Sequence, residues 1–489
     1  YHTVGGMATT EEITLPGFKS DLHAFGYQFA NLSSVPQELN LSAYGFDLIW
    51  PEINYSHVFP DGGIISMHRS IDDTVRSIER YSKKDGETWR RLAQQFVEQK
   101  DRIAEWMNSP PASLANSTAQ LAQMPHGMDK YRFQFQSLRS WANKQFETEE
   151  SRLFVGAFAC HAGIGPDDAG GAHLAWLFAS LIQALGNRVV KGGMHNLPLA
   201  LAEYLRSKGG QIRTGARVNK IVVKNSLAVA VRLADGEEIG ISRVVASNTD
   251  PRQVIVDFLG EENVGSDLIQ KIQRYEWGDA FFVVYLALDE PLVYRAGDNA
   301  GRSAYVHPSP PTMDYLSRIY AECRGGLLPA APMVVMCNDS AIDAVRAPTG
   351  KAVMKLIALN VPYEIKGDSA GKIPGRTWDE VKEAYADRVI DLITESYVPD
   401  LRDRILKRVV HSPVDMERAI PSAVRGTVTH GAFLPYQSGS LRPLAELGQY
   451  RTPVPNVYLC GSGSHPGGGI SMAPGRNAAH VILADLKGG

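Results

Sequence analysis

The stretch best equipped for chemistry runs from Asn456 to Ala479. In it the apolar residues Val457, Tyr458 and Leu459 give way to a loop containing Gly461, Ser462, Gly463, Gly467, Gly468 and Gly469. Residues from about Gly475 to Leu486 then read as a helix. A helix N-terminus reached through glycines offers bare backbone N–H groups and a partial positive charge, which together take up an anionic ring edge. For the Gly461-x-Gly463 spacing alone, an ordinary glycine turn is the competing reading. The loop is not a dinucleotide fingerprint, since such a loop opens a βαβ unit and this one follows a late strand. Gly163-x-Gly165 fails the same test, because no apolar strand precedes it.

Side chains able to act as acids, bases or ligands are few. His465, inside the glycine loop, is the candidate proton carrier because imidazole titrates near neutrality; a loop histidine that shapes the turn is the alternative. Cys160-His161 suggests a thiol or a metal, but no further ligands stand at zinc spacing, so a structural role is favoured and no metal site is assigned. Phe281, Phe282, Tyr285 and Phe433 are candidate walls of an apolar slot, against core packing as the plainer account.

These residues must be held by at least two cores. At 489 residues, 44% hydrophobic and 21% charged, the chain is too long for one ordinary domain. Residues 1 to 65 are rich in Gly, Pro and aromatics without sustained period. From Asp72 to Trp106 apolar residues recur at helical spacing, and Ala172 to Leu185 carries a second such stripe. A helix through Leu197, Leu201 and Leu205 ends at Gly209-Gly210 and leads into strands predicted over Gln211–Arg213, Arg217–Lys224, Leu227–Leu233 and Val244–Ser247. Strands Phe281–Leu288, Met333–Met336 and Val353–Leu359, with a helix from Trp378 to Tyr397, mark a separate α+β region.

Composition removes some functions. With 50 basic and 53 acidic side chains and a net charge of −3, there is no basic excess for nucleic acid. The four cysteines are scattered, which disfavours a disulfide framework. No apolar run approaches the roughly 20 residues of a membrane span, and no secretion signal is seen.

Three segments together resemble the phytoene desaturase-like FAD-dependent oxidoreductases. The first is Val4 to Glu12 with Gly5-Gly6, similar to the family's double-glycine segment beside the FAD diphosphate. The second is Lys191-Gly-Gly-Met-His-Asn-Leu-Pro, followed by Gly209 to Val218 and by Ala246-Ser-Asn-Thr-Asp-Pro251. The third is Tyr450-Arg-Thr-Pro through His465-Pro-Gly-Gly-Gly to Pro474-Gly-Arg-Asn-Ala-Ala.

The resemblance implies an α/β fold: a discontinuous Rossmann-like FAD-binding domain from residues 1–65, 190–275 and 425–489, and an α+β substrate domain from 66–189 and 276–424. It implies FAD contacts at Gly5 and Gly6, at the Val218 backbone, and at Gly461, Ser462, Gly468, Gly469, Ile470 and Asn477, with His465 as the catalytic candidate. A flavin is charged at its pyrimidine edge once reduced, which suits the glycine loop and helix terminus. The implied reaction is dehydrogenation of an apolar, isoprenoid or lipid-like substrate by hydride transfer to flavin N5. Oxygen, a quinone or a nicotinamide nucleotide is the expected electron acceptor. A redox-neutral polyene isomerase and a non-catalytic chain without FAD are the alternatives. The implied location is the cytoplasm or a membrane periphery, mitochondrial in a eukaryote. Family members carry a strand, G-x-G-x-x-G loop and helix before the double glycine, and this sequence starts just after that unit. The expectation is a first βαβ unit missing and weak FAD binding.

Overall fold

Nine consecutive apolar residues, AFFVVYLAL, five of them Phe, Val or Tyr of high β-propensity, form the strand Ala280–Leu288, and all nine are buried. Successive side chains of a strand point to opposite faces, so this one feeds two cores. Phe281, Val283 and Tyr285 enter a core shared with helices, while Phe282, Val284, Leu286 and Leu288 enter another. Two apolar faces mean that the sheet is covered on both sides.

That sheet has seven strands, in the order Ile405–His411, Ala280–Leu288, Ala352–Val361, Val334–Cys337, Ser303–Pro308, Ile53–Val58 and Ile64–His68. Neighbours are antiparallel except Ser303–Pro308 beside Ile53–Val58, which run parallel with Tyr305 opposite Tyr55 and His307 opposite His57. The helices Ile71–Glu79, Lys83–Met107, Glu149–His161 and Gly171–Leu185 supply the core on one face. On the other lies Trp378–Ser396, begun by a capping box between Thr377 and Glu380 and burying Val381, Tyr385, Val389, Ile390 and Ile393. Ile390 is fully enclosed. Ile390→Ala is therefore expected to cost about 2–5 kcal/mol, through lost transfer energy and a cavity, and to appear as a lowered thermal midpoint.

The computed structural model describes residues 2–488. Besides the large sheet it contains a parallel pair, Val245–Ser247 with Val457–Leu459, and an antiparallel trio, Val218–Lys224, Leu227–Leu233 and Glu238–Gly240. The parallel pair leads into Asn248-Thr249 on one strand and the glycine loop on the other, so both loops leave the same end. The helix Ala473–Gly488 follows the glycine loop.

Two expectations are corrected. Residues 53–65 do not stand apart with the glycine segments, because Ile53–Val58 and Ile64–His68 complete the large sheet. Hydroxyls explain why this strand pair has no readable pattern: Ser56 bonds Ser66 at 2.9 Å and Ser303 at 2.7 Å, so a polar residue is as buried as its apolar neighbours. Gln211–Arg213 forms no strand. The stretch read as helical from Asp72 to Trp106 is helical, in two pieces, with Ser82 accepting from Asp85 N at 3.1 Å to start the second. Among the described residues, no helix is long and apolar enough to cross a membrane.

Candidate active site

A cavity of about 1120 Å³ lies between the sheet, the helical layer and the glycine segments. It exceeds the ~300–1,000 Å³ common for single small-molecule pockets, leaving room for a large cofactor and a substrate together. Its wall brings together distant parts of the chain: Gly5 and Gly6, His23 to Gly26, His161, Val218, Phe258, Thr429, His430, Ser462, Gly469 and Ile470.

The predicted cofactor residues divide. Gly5, Gly6, Val218, Ser462, Gly469 and Ile470 all line the cavity. Gly461, Gly468, Asn477 and His465 are not among its lining residues. Gly461 is needed for packing, since a Cβ there would come within 2.4 Å of the Asn248 carbonyl oxygen. Asn477 donates to the carbonyls of Met107 and Ser109, both at 3.0 Å, and so ties the last helix to the end of Lys83–Met107. His465 is fully buried, its Nε2 lies 2.9 Å from the Trp106 carbonyl, and its ring meets Trp106 edge-on. Burial pushes its pKa down to about 4. That geometry matches the turn-shaping alternative. Of the candidate slot aromatics, Phe281 and Phe433 line the cavity, while Phe282 and Tyr285 pack in the two cores.

The wall suits a flavin dinucleotide. Gly5 and Gly6 have φ of 112° and 55°, and a Cβ on Gly6 would meet nothing within 4 Å, so the backbone there is bare. On the opposite side Gly469, Ile470 and Met472 all have positive φ (109°, 61° and 59°) just before the helix Ala473–Gly488. A β-branched residue in the left-handed region is strained, and such strain collects at ligand clamps. The turn holds the helix N-terminus, with its partial positive charge, against the cavity.

Apart from Arg217 and Asp257, the rest of the wall is apolar or neutral. Phe25, Phe29, Phe178, Phe281, Ile420, Val428 and Phe433 supply carbon surface. His23, His161 and His430 also line it, and burial lowers their pKa values to about 3, 4 and 4. All three are uncharged at neutral pH.

Sequence reasoning passed over much of this wall. His161 was visible only as half of the Cys160-His161 pair. The turn of π-helix Gln253–Leu259, which brings Gln253, Asp257 and Phe258 to the cavity, has no signature in residue spacing. The run His23 to Phe29 is placed by an internal ion network that no local pattern shows. In that network Arg346 meets Asp21 at 3.0 and 2.7 Å and Asp343 at 3.3 Å, and Lys355 meets Asp339 at 2.9 Å. Asp21 also accepts from Met194 N and Thr10, and Asp343 accepts from Gly192 N.

Asp250, at the foot of the cavity loop Asn248-Thr249, carries a testable titration. Burial raises its pKa to about 6, and the side chain is fully enclosed. The folded state thus holds this proton more tightly than the unfolded chain, whose aspartate titrates near 3.8. Its contribution is complete below that value and is lost as pH rises through about 6, a swing on the order of 3 kcal/mol. Asp250→Asn should flatten this slope, melting above the parent at pH 8 and level with it at pH 4. Parallel melting curves across that range would contradict the assignment.

Comparison with known proteins decides the family. Residues 6–483 match the family described as flavin containing amine oxidoreductase. The chain belongs to this family. FAD is accordingly its cofactor, and its chemistry is FAD-dependent oxidoreduction. Among curated members, a limonene dehydrogenase component from Castellaniella defragrans is 28% identical over 99% of this chain and 89% of its own length. The mouse pyridine nucleotide-disulfide oxidoreductase domain-containing protein 2 is 27% identical over 99% of this chain and 88% of its own. The lycopene-forming phytoene desaturase of Pseudescherichia vulneris is 26% identical over 61% of this chain and 56% of its own. Among solved structures, an oxidoreductase from Methanosarcina mazei aligns with a TM-score of 0.59 at 16% identity, covering 99% of this chain and 92% of that one. Cyclohexylamine oxidase from Brevibacterium oxydans aligns at 0.56 with 13% identity, covering 99% and 92%. Both share the fold of the chain, a mixed α/β architecture of Rossmann-like type. Membership in a family of oxidoreductases also sets aside the non-catalytic reading.

Proposed function

We propose that this flavin amine oxidoreductase-family member dehydrogenates an apolar, isoprenoid or lipid-like substrate, with hydride passing to flavin N5. The observation that carries the reading is the cavity wall. Beyond the backbone of Gly5, Gly6 and Gly469 it is built largely from phenylalanines, Ile420, Val428 and neutral histidines, and its one acidic side chain, Asp257, is paired with Arg252 at 3.5 Å. An alkylammonium substrate would find no unpaired counter-charge there. The names limonene dehydrogenase and phytoene desaturase, carried by two similar proteins, point the same way.

Bound FAD supplies the hydride acceptor. The chain's own part is to exclude water around the carbon surface, to orient the substrate against the wall between Phe25 and Phe433, and to receive the proton released when the second C–H bond breaks. His23 and His161 are the bases nearest to hand, neutral and each with an unpartnered Nδ1. Their lowered pKa values mean that a proton is passed on rather than stored.

The test is anaerobic mixing of FAD-loaded protein with terpene and long-chain polyene hydrocarbons, following the flavin's visible band and the products together. Bleaching with formation of a new double bond is the expected result. Bleaching by primary amines but by no hydrocarbon would overturn the reading. A shifted double bond without bleaching would favour the isomerase.

A further inference from the structure

Arg442 is 1% exposed, and every hydrogen-bond partner of its guanidinium is a backbone carbonyl. It donates to Thr429, His430 and Gly431 at 2.9, 3.2 and 3.2 Å, to Ala432 at 3.2 Å and to Ser462 at 3.2 Å. Among the described residues, no carboxylate pairs with it. Its guanidinium also sits 5.3 Å from the centre of the Phe433 ring. Thr429, His430, Phe433 and Ser462 all line the cavity, so the cation lies directly behind that wall.

An arginine cannot shed its proton inside a protein, and a buried ion without a counter-ion costs several kcal/mol. Carbonyl dipoles offset part of that cost and leave the net charge in place. The charge is felt nearby, where it helps to depress the pKa values of His430 and His465. What the site lacks is an anion, and the occupant of the adjoining cavity becomes one: accepting a hydride turns a neutral flavin ring into an anion.

We propose that Arg442 is an electrostatic positioning residue, whose uncompensated charge behind the loops Thr429–Phe433 and Ser462–Gly467 favours the reduced flavin over the oxidised one. The proposal rests on the family's cofactor and not on the identity of the substrate. A purely mechanical role, tying two loops together, would serve equally well with the charge neutralised, and the two are separable.

The experiment measures the two-electron midpoint potential of bound FAD against a reference dye, together with the affinity of sulfite for the flavin. The proteins are the parent, Arg442→Met, Arg442→Lys and Gln437→Glu. The last is nearly isosteric and introduces a carboxylate on the residue whose backbone carbonyl oxygen lies 3.5 Å from the Arg442 guanidinium; it can still accept from Glu276 N and loses only the bond donated to the Glu276 carbonyl. Arg442→Met and Gln437→Glu should each lower the preference for reduced flavin at least tenfold, about 30 mV for a two-electron couple, and weaken sulfite binding to match. Arg442→Lys, which keeps the charge but loses most of the hydrogen bonds, should stay within threefold of the parent. Equal losses in Met and Lys with no change in Gln437→Glu would make the role mechanical and overturn the proposal. If both Arg442 variants fail to fold, Gln437→Glu decides: an unmoved potential refutes the proposal, and a lowered one supports it. A parent without flavin bands would instead refute the cofactor assignment beneath it.

Discussion

Arg346→Met is expected to destabilise the protein by about 3–5 kcal/mol and to loosen two distant segments at once. Arg346 is fully buried and grips both oxygens of Asp21, itself almost fully enclosed. Removing one partner of a buried pair leaves the other as an unpaired charge, and that penalty, not the loss of the attraction, sets the size of the effect. The consequences spread along the hydrogen bonds of the pair. Asp21 orders Thr10 and the backbone of Met194, while Asp343, the second acid on Arg346, holds Gly192 N at 2.7 Å. The first and second of these segments adjoin the cavity wall at Met7 and Ala8 and at Leu197, so FAD affinity should fall with stability. Thermal melts with proteolysis around residues 5–12 and 190–196 would report both. The double variant Arg346→Met with Asp21→Leu should recover much of the loss, because no lone charge remains. A single variant within about 1 kcal/mol of the parent would mean that water reaches the pair and that the network is not the anchor described.

Gly469→Val is expected to weaken FAD binding at least 100-fold, which is about 2.7 kcal/mol. Two costs combine. At a φ of 109° a β-branched residue is strained by roughly 1–3 kcal/mol, and its Cβ would stand 3.0 Å from the Cβ of Phe29, a distance at which one of the two must move. Phe29 packs on Phe178, ring centres 4.8 Å apart, and both line the cavity, so the movement is transmitted into the cofactor space. Gly468→Val should do less. Gly468 has no positive φ, its Cβ would stand 3.3 Å from the Thr429 carbonyl oxygen, and it lies outside the cavity lining. A useful control is Gly236→Ala in the hairpin between Leu227–Leu233 and Glu238–Gly240, where φ is 94° and nothing lies within 4 Å of the added carbon. It carries backbone strain outside the cavity lining and should leave FAD binding unchanged. Titrations following flavin fluorescence would rank the three, and equal affinity in Gly469→Val and the parent would remove the glycine loop from the site.

Glycine made the cavity wall readable, because Gly5, Gly6 and Gly469 line it at positive φ, and that requirement survives in the sequence alone. The strand Ala280–Leu288 and the helix Trp378–Ser396 were equally plain, since long runs of one propensity leave little choice. What escaped depended on partners far along the chain. The strand Ile53–Val58 hides Asn54, Ser56 and His57 among its buried residues; Ser56 makes sense only beside the hydroxyls of Ser66 and Ser303, and Asn54 only beside the backbone of Asn187. Arg442 resembles any loop arginine until the carbonyls that surround it are seen. His465 misled for the converse reason: it lies in the right loop, yet its ring turns to Trp106 and away from the cavity.

The parallel seam between Ile53–Val58 and Ser303–Pro308 also bears on how the protein is made. Ser56 and Ser303 are 247 residues apart. At a ribosomal pace of ~5–20 residues per second, the first strand pair waits roughly 12–50 s after synthesis for its neighbour. During that interval the hairpin holding Tyr55, Ile65 and Met67 has an open edge and uncovered apolar side chains, the form in which a nascent chain is most exposed to aggregation and most dependent on chaperones. Recombinant yield should therefore respond more to co-expressed chaperones than to changes made in the strands that join the sheet last.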